Sequence, residues 1–296
     1  MISLNFKNLL LMDWKKGRKS RNVQDRRKGG AGKVAAGGGG LLIIGIIISL
    51  ITGQDFTSFF AGNNLNLGTS QESYEYITDF DQEDSLGEMV SVMLASTEDV
   101  WTRIFEEQNL GRPYSEPDLV LFRGQTQSAC GMGAASMGPF YCPADSSVYI
   151  DLSFCNELRT RFKAPGNFAI AYVIGHEVGH HIQTLLGISQ QVQAQRGRIS
   201  EKEYNKLSVK LELQADFLAG VWAYYELRST GMIQDGDLEV ALNAANAIGD
   251  DKLQMEAQGY VVPDAFTHGT SEQRMYWFKK GFETGDLRLG NYNNIQ

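Results

Sequence analysis

Cysteine is scarce in this chain of 296 residues: only Cys130, Cys142 and Cys155 are present. Three cysteines allow one bridge and leave one thiol over, which excludes a scaffold held together by several disulfides. Internal repetition is absent as well, which excludes a solenoid. Basic charge is short in most of the chain. Residues 1–33 carry ten Lys and Arg against Asp13 and Asp25, leaving 17 basic and 33 acidic residues beyond them. A body of net charge −16 lacks the basic face that phosphate binding needs, so no nucleic-acid partner is expected. A charged fraction of 21% with 43% hydrophobic residues fits a folded, core-bearing body better than a disordered or polytopic chain.

Charge is missing altogether from residues 34–54, a stretch that ends in the run Leu41 to Ile51. Roughly 20 apolar residues suffice for a helix to cross a bilayer, and glycine is common in such helices. The stretch therefore reads as one N-terminal transmembrane helix; a buried core helix and a cleaved signal peptide are the alternatives. Ten basic residues before it predict a cytoplasmic tail at 1–33 and a body across the membrane, periplasmic or extracellular. The lipid bilayer is then one partner of the chain. An exported body allows a bridge, and Cys130 and Cys142 flank the glycine-rich stretch Gly131 to Gly138, which can turn the chain back on itself.

Residues 55–78 are polar and read as a linker, with the folded domain at 79–296. Leu86, Met89, Val90, Met93, Trp101, Ile104 and Phe105 follow helical spacing. Leu119 to Phe122 and Ser147 to Phe154 read as strands, the second suited to accept an extended peptide at a sheet edge. Phe168 to Leu186 is a long apolar segment closed by Gly187, hence a buried helix. A polar stretch at 190–206 precedes a helix from Leu207 to Leu227, and Leu238 to Ile248 and Glu272 to Phe282 are helical too. Helix, then strands, then helices make an α+β domain.

The buried helix carries His176-Glu177-Val-Gly-His180-His181-Ile-Gln183. Histidines at i and i+4 share one helix face and reach a single metal, and Glu177 is placed to take a proton from a water there. Ionisable residues in so apolar a helix are expensive unless used. A third histidine of the extended motif is lacking, because Gln183 and Leu186 stand where glycine and histidine are required. The third ligand must come from elsewhere. Glu212-Leu-Gln-Ala-Asp216 places two carboxylates one turn apart in another apolar helix, with Glu212 on the metal and Asp216 behind a ligand histidine. Two surface carboxylates are the bland alternative. His181 points a third of a turn away from His180 and reads as a packed histidine.

These two motifs, with the later His268-Gly-Thr-Ser-Glu-Gln-Arg274, resemble the bacterial neutral zinc metallopeptidase family, which is itself similar to gluzincins such as the membrane CAAX prenyl peptidases. The likeness covers nearly the whole chain, including the basic tail, the glycine-rich membrane segment and Gly138 to Pro143; Cys155 departs from it. The resemblance implies His176, His180 and Glu212 as ligands of Zn2+, Glu177 as general base, and His268 with Arg274 facing the substrate. The fold it implies is a gluzincin-like zinc peptidase body with a small sheet and the metal helix beneath it. The expected function is a membrane-anchored zinc endopeptidase acting on a protein or peptide. The alternatives are a non-catalytic membrane-anchored zinc-binding scaffold and a hydrolase of a non-peptide amide. His268 also has a structural reading, as a histidine that ties the loop to the start of its helix.

Overall fold

The computed structural model describes residues 12–27 and 80–295, apart from 163, 165 and 235. The expected anchor at 34–54 and the linker at 55–78 lie outside the described residues.

The order begins with strand β1 (Val23–Asp25) and the long helix α1 (Phe80–Glu107). Strands β2 (Asp118–Phe122), β3 (Gln125–Ser128), β4 (Gly131–Ala134), β5 (Phe140–Cys142) and β6 (Ser147–Asp151) follow. Among the described residues seven α-helices follow: α2 (Ser153–Thr160), α3 (Asn167–Leu185), α4 (Ile188–Gln193), α5 (Glu201–Ser229), α6 (Asp237–Ala247), α7 (Asp250–Gln258) and α8 (Ser271–Thr284). The domain is α+β, mostly helical, with two small sheets. One is ordered β1-β2-β6-β5, parallel except for β5; the other is the β3–β4 hairpin.

β6 is buried at all five positions because both faces of the sheet are covered. Leu119, Leu121, Val148 and Ile150 face the main core with the helices. Val120, Phe122, Tyr149 and Cys142 face a small second core, against which Phe140 packs. Alternation along the strands thus divides one apolar run between two cores. The structure joins Cys130 to Cys142, the expected pair, and leaves Cys155 free and buried.

Two strand expectations change. Ser147 to Phe154 stops as a strand at Asp151, whose carboxylate accepts the backbone N–H groups of Gly124 (2.7 Å) and Ser153 (2.9 Å). That double capture turns the chain into α2. β6 is also not an edge, since it lies between β2 and β5. The polar stretch before Leu207 is already helical, because Ser200 caps α5 and Glu203 returns the bond to it.

The membrane topology is corrected too. No helix among the described residues is long and apolar enough to cross a membrane. The basic segment 12–27, expected as a cytoplasmic tail, packs on the body itself. β1 pairs with β2, Met12 is buried, and the Ser20 N–H donates to the Ser91 carbonyl at 3.2 Å. Its charges meet carboxylates of α1: Arg18 binds Glu98 and Asp99, Lys19 binds Glu88, and Arg27 binds Asp84. A segment hydrogen-bonded into the sheet of the body cannot lie on the opposite side of a membrane from it.

α3 is the centre of the domain, buried along nearly its whole length between α1 and the sheet on one side and α5 and α6 on the other. It approaches α5 closely at Gly179, where a Cβ would stand 2.9 Å from the Ala215 carbonyl oxygen. α5 and α8 cross in the same way at Gly220 and Gly281, each without a side chain where it meets the other backbone. These crossings bring the conspicuous motifs of three helices to one place.

Candidate metal centre

The close approach at Gly179 sets His176 and His180 of α3 opposite Glu212 and Asp216 of α5. The His176 and His180 Nε2 atoms lie 3.2 Å apart. Glu212 reaches both, with Oε2 3.2 Å from His176 Nε2 and Oε1 3.5 Å from His180 Nε2. One ligand atom from each of these three residues falls within 4.8 Å of the others.

The remaining ring nitrogens suit this group to a cation. His176 Nδ1 donates to Asp216 Oδ1 at 2.8 Å, and His180 Nδ1 donates to Gln183 Oε1 at 2.9 Å. With each Nδ1 engaged in this way, both Nε2 atoms face one point together with a carboxylate. A proton there serves one nitrogen; a cation serves all three groups. Two imidazoles and one carboxylate are a donor set for zinc with a position left open.

Asp216 is fully buried and held from three sides. Arg274 of α8 binds it through Nε (2.8 Å) and a terminal nitrogen (3.0 Å), and the Tyr172 hydroxyl donates to it at 2.6 Å. Burial works against its charge, but Arg274 and His176 hold its pKa down at about 2. Burial alone would also lower His176, yet Asp216 and Glu212 pull it up to about 10. His180 is raised by Glu212 against the same burial. Glu212, despite burial, stays well below the carboxylate range because His180 and His268 stand near it.

Glu177, next to the first histidine, is buried and has no side-chain hydrogen bond to a described residue; burial pushes its pKa upward. His268 lies on the loop before α8, close enough to Glu212 for each charge to act on the other. Asp250, at the start of α7, fixes it: Oδ1 is 3.1 Å from His268 Nδ1, and Oδ2 accepts the backbone N–H groups of Thr267, His268 and Gly269. Arg274 is 3% exposed and lies against Asp216 and Tyr172. His181 is packed away from the group, accepting from the Tyr141 hydroxyl at 3.0 Å and donating to the Ser115 carbonyl at 2.6 Å. Sequence reasoning missed Tyr172, Gln183, Gln214 and Asp250. Tyr172 and Gln183 carried a signal, being one turn from His176 and His180 on the same helix; Asp250 carried none.

Comparison with known proteins bears on this geometry. Residues 12–291 match the family described as "Putative neutral zinc metallopeptidase". The chain belongs to this family. The match starts at residue 12, so the segment carrying β1 is part of the family's domain. The chain is 48% identical over 284 residues to "Uncharacterized protein YpfJ" of Escherichia coli (strain K12), covering 93% of this chain and 96% of that one. It is 41% identical over 187 residues to "Uncharacterized protein Rv2575" of Mycobacterium tuberculosis (strain H37Rv), 60% of this chain and 62% of that one. No solved structure matches it. The cofactor that the family implies is Zn2+, and His176, His180 and Glu212 form the group that fits it.

Proposed function

We propose that this protein is a zinc-dependent endopeptidase in which His176, His180 and Glu212 hold the metal and Glu177 is the general base. The observation that carries this reading is the convergence of two histidine Nε2 atoms and one carboxylate beside a second carboxylate, Glu177, that no described residue hydrogen-bonds. A closed structural zinc site takes four protein ligands. Among the described residues the group has three, which favours an enzyme over a zinc-binding scaffold.

When bound, zinc polarises a scissile carbonyl and makes a neighbouring water acidic enough to attack it. The Glu177 carboxylate takes the proton of that water and passes it to the leaving amine; its raised pKa suits a group that must hold the proton between the two events. His268, its Nδ1 engaged by Asp250, presents its other nitrogen as a donor to the oxyanion that develops on the substrate. Arg274 keeps Asp216 ionised, and Asp216 keeps the His176 proton on Nδ1. The peptide is read in extended form along β5, which ends its sheet and touches the metal helix where Tyr141 meets His181.

The test is a peptide-library digest with wild type and Glu177→Gln, with zinc content measured in both. Glu177→Gln should keep its zinc and lose roughly 10²–10⁴ in rate, as removal of a general base does. Cleavage by the variant at the wild-type rate would remove Glu177 from the chemistry. Zinc-loaded wild type that cuts no peptide would end the peptidase assignment.

A further inference from the structure

The two histidines are supported differently. His176 leans on a carboxylate that Arg274 neutralises, whereas His180 leans on an uncharged amide. Gln183 is fully buried, and both hydrogens of its Nε2 are committed, to the Leu211 carbonyl at 2.6 Å and to Gln214 Oε1 at 3.1 Å. Gln214 cannot turn over to release it, because its own Nε2 donates to the Gly290 carbonyl at 2.9 Å. Backbone carbonyls only accept, so Leu211 and Gly290 give the chain of amides one direction. Read outward, Gly290 takes a hydrogen from Gln214, Gln214 takes one from Gln183, and Gln183 is left with only an acceptor to show His180. His180 must therefore carry its proton on Nδ1, with its Nε2 lone pair turned into the metal site.

We infer that Gln183, locked by Gln214 and the Gly290 carbonyl, is the positioning residue that sets the zinc-binding tautomer of His180. This rests on His180 being a zinc ligand. Gly290 closes the 3-10 turn Leu287–Gly290, so that turn supports the site even though it contributes no ligand.

The acceptor half of Gln183 can be separated from its donor half. Gln183→Leu removes both; Gln183→Glu keeps an acceptor for His180 and loses the two donations. Zinc dissociation constants, from competition with a chelator, are read beside thermal unfolding of the metal-free proteins. Both variants should lose stability, but only Gln183→Leu should weaken zinc binding, by about 10–100-fold, as loss of such a support does. Gln183→Glu should stay within a few-fold of wild type. A purely structural Gln183 would make both variants lose zinc alike, and that result, or unchanged affinity in Gln183→Leu, overturns the proposal. Should Gln183→Leu fail to fold, Gln214→Glu and Gln214→Met repeat the comparison one amide further out, with affinity kept in the first and reduced in the second. Equal affinities in that pair also overturn it. His180→Ala must lose zinc in the same assay; if it does not, the ligand assignment falls, and the inference falls with it for that separate reason.

Discussion

Gly179→Ala should damage the metal site more than it damages the fold. The added methyl would stand 2.9 Å from the Ala215 carbonyl oxygen, 3.0 Å from its Cα and 3.3 Å from its carbonyl carbon. All three are backbone atoms, so no side chain can swing aside. Carbon atoms rest at roughly 3.5–4.0 Å, so α3 and α5 must part by about half an ångström. Overpacking of this kind costs ~1–3 kcal/mol, and alanine returns about 1 kcal/mol of helix propensity. The net loss of stability is therefore at most about 2 kcal/mol. Zinc is less forgiving, because ligand distances hold only within about 0.2 Å. His176 and His180 flank Gly179 on α3, and Glu212 and Asp216 flank Ala215 on α5, so the whole separation falls on the ligand set. Zinc affinity should drop at least about tenfold, on the scale of lost ligand support. Gly175→Ala is the control: its methyl would meet the Trp222 ring at 2.9 Å, a side chain and not a backbone, and the Ala219 Cβ only at an ordinary contact distance of 3.4 Å. It should cost comparable stability and leave zinc nearly untouched. Chelator competition and thermal unfolding of both metal-free variants decide the matter. Equal zinc affinities in the two would refute the claim that the Gly179 contact sets the site.

Removing residues 1–27 should destabilise the domain by at least ~1.5–3 kcal/mol in urea unfolding, the scale of one hydrogen bond to a charged group, because Glu98 loses its bonds from Arg18, Ser20 and Asn22 and β2 loses β1; an unchanged midpoint would make the segment dispensable. His268→Ala should lower kcat by about 10²–10³ at constant zinc content, as loss of an oxyanion donor does; a fall in zinc content would make it a ligand instead. His181 should give the metal-free protein an acid-sensitive step. Burial depresses its pKa from 6.5 to about 4, so its neutral form supports the fold above pH 6.5, and that support, up to about 3 kcal/mol, is lost as pH falls toward 4. Stability of wild type minus that of His181→Gln, measured from pH 7 to 4, should fall over that window; parallel curves would contradict it.

The core helices were legible because their period is local. α1 buries the residues its spacing marked, and α3 has the extent its apolar run predicted. The start of α5 was not, since Glu201 to Glu203 are exposed and charged and only the Ser200–Glu203 cap announces them. The N-terminal segment was misread for a physical reason. Ten basic residues before an uncharged stretch are the pattern of a membrane anchor, but here Arg18 and Lys19 are matched by carboxylates of α1 more than sixty residues later. Local charge statistics cannot distinguish a solvated tail from one whose partners arrive by folding.

The metal group divides along the same line. The proposed ligands sit on two helices, His176 and His180 four apart and Glu212 four before its supporting Asp216, so the sequence displays them as two short patterns in apolar surroundings. The groups that make them ligands are scattered: Arg274 comes 58 residues after Asp216, and the last acceptor behind His180 is a backbone carbonyl with no side-chain identity to read. Yet the need for such partners was implicit in burial alone. A carboxylate at Asp216, fully enclosed in α5, stays ionised only if a fixed cation meets it. A buried glutamine such as Gln183, in the last turn of an apolar helix, persists only if all its polar atoms are engaged. Burial therefore states that a buried Asp or Gln is held, and by which kind of group; only the crossings at Gly179, Gly220 and Gly281 determine which residue does the holding.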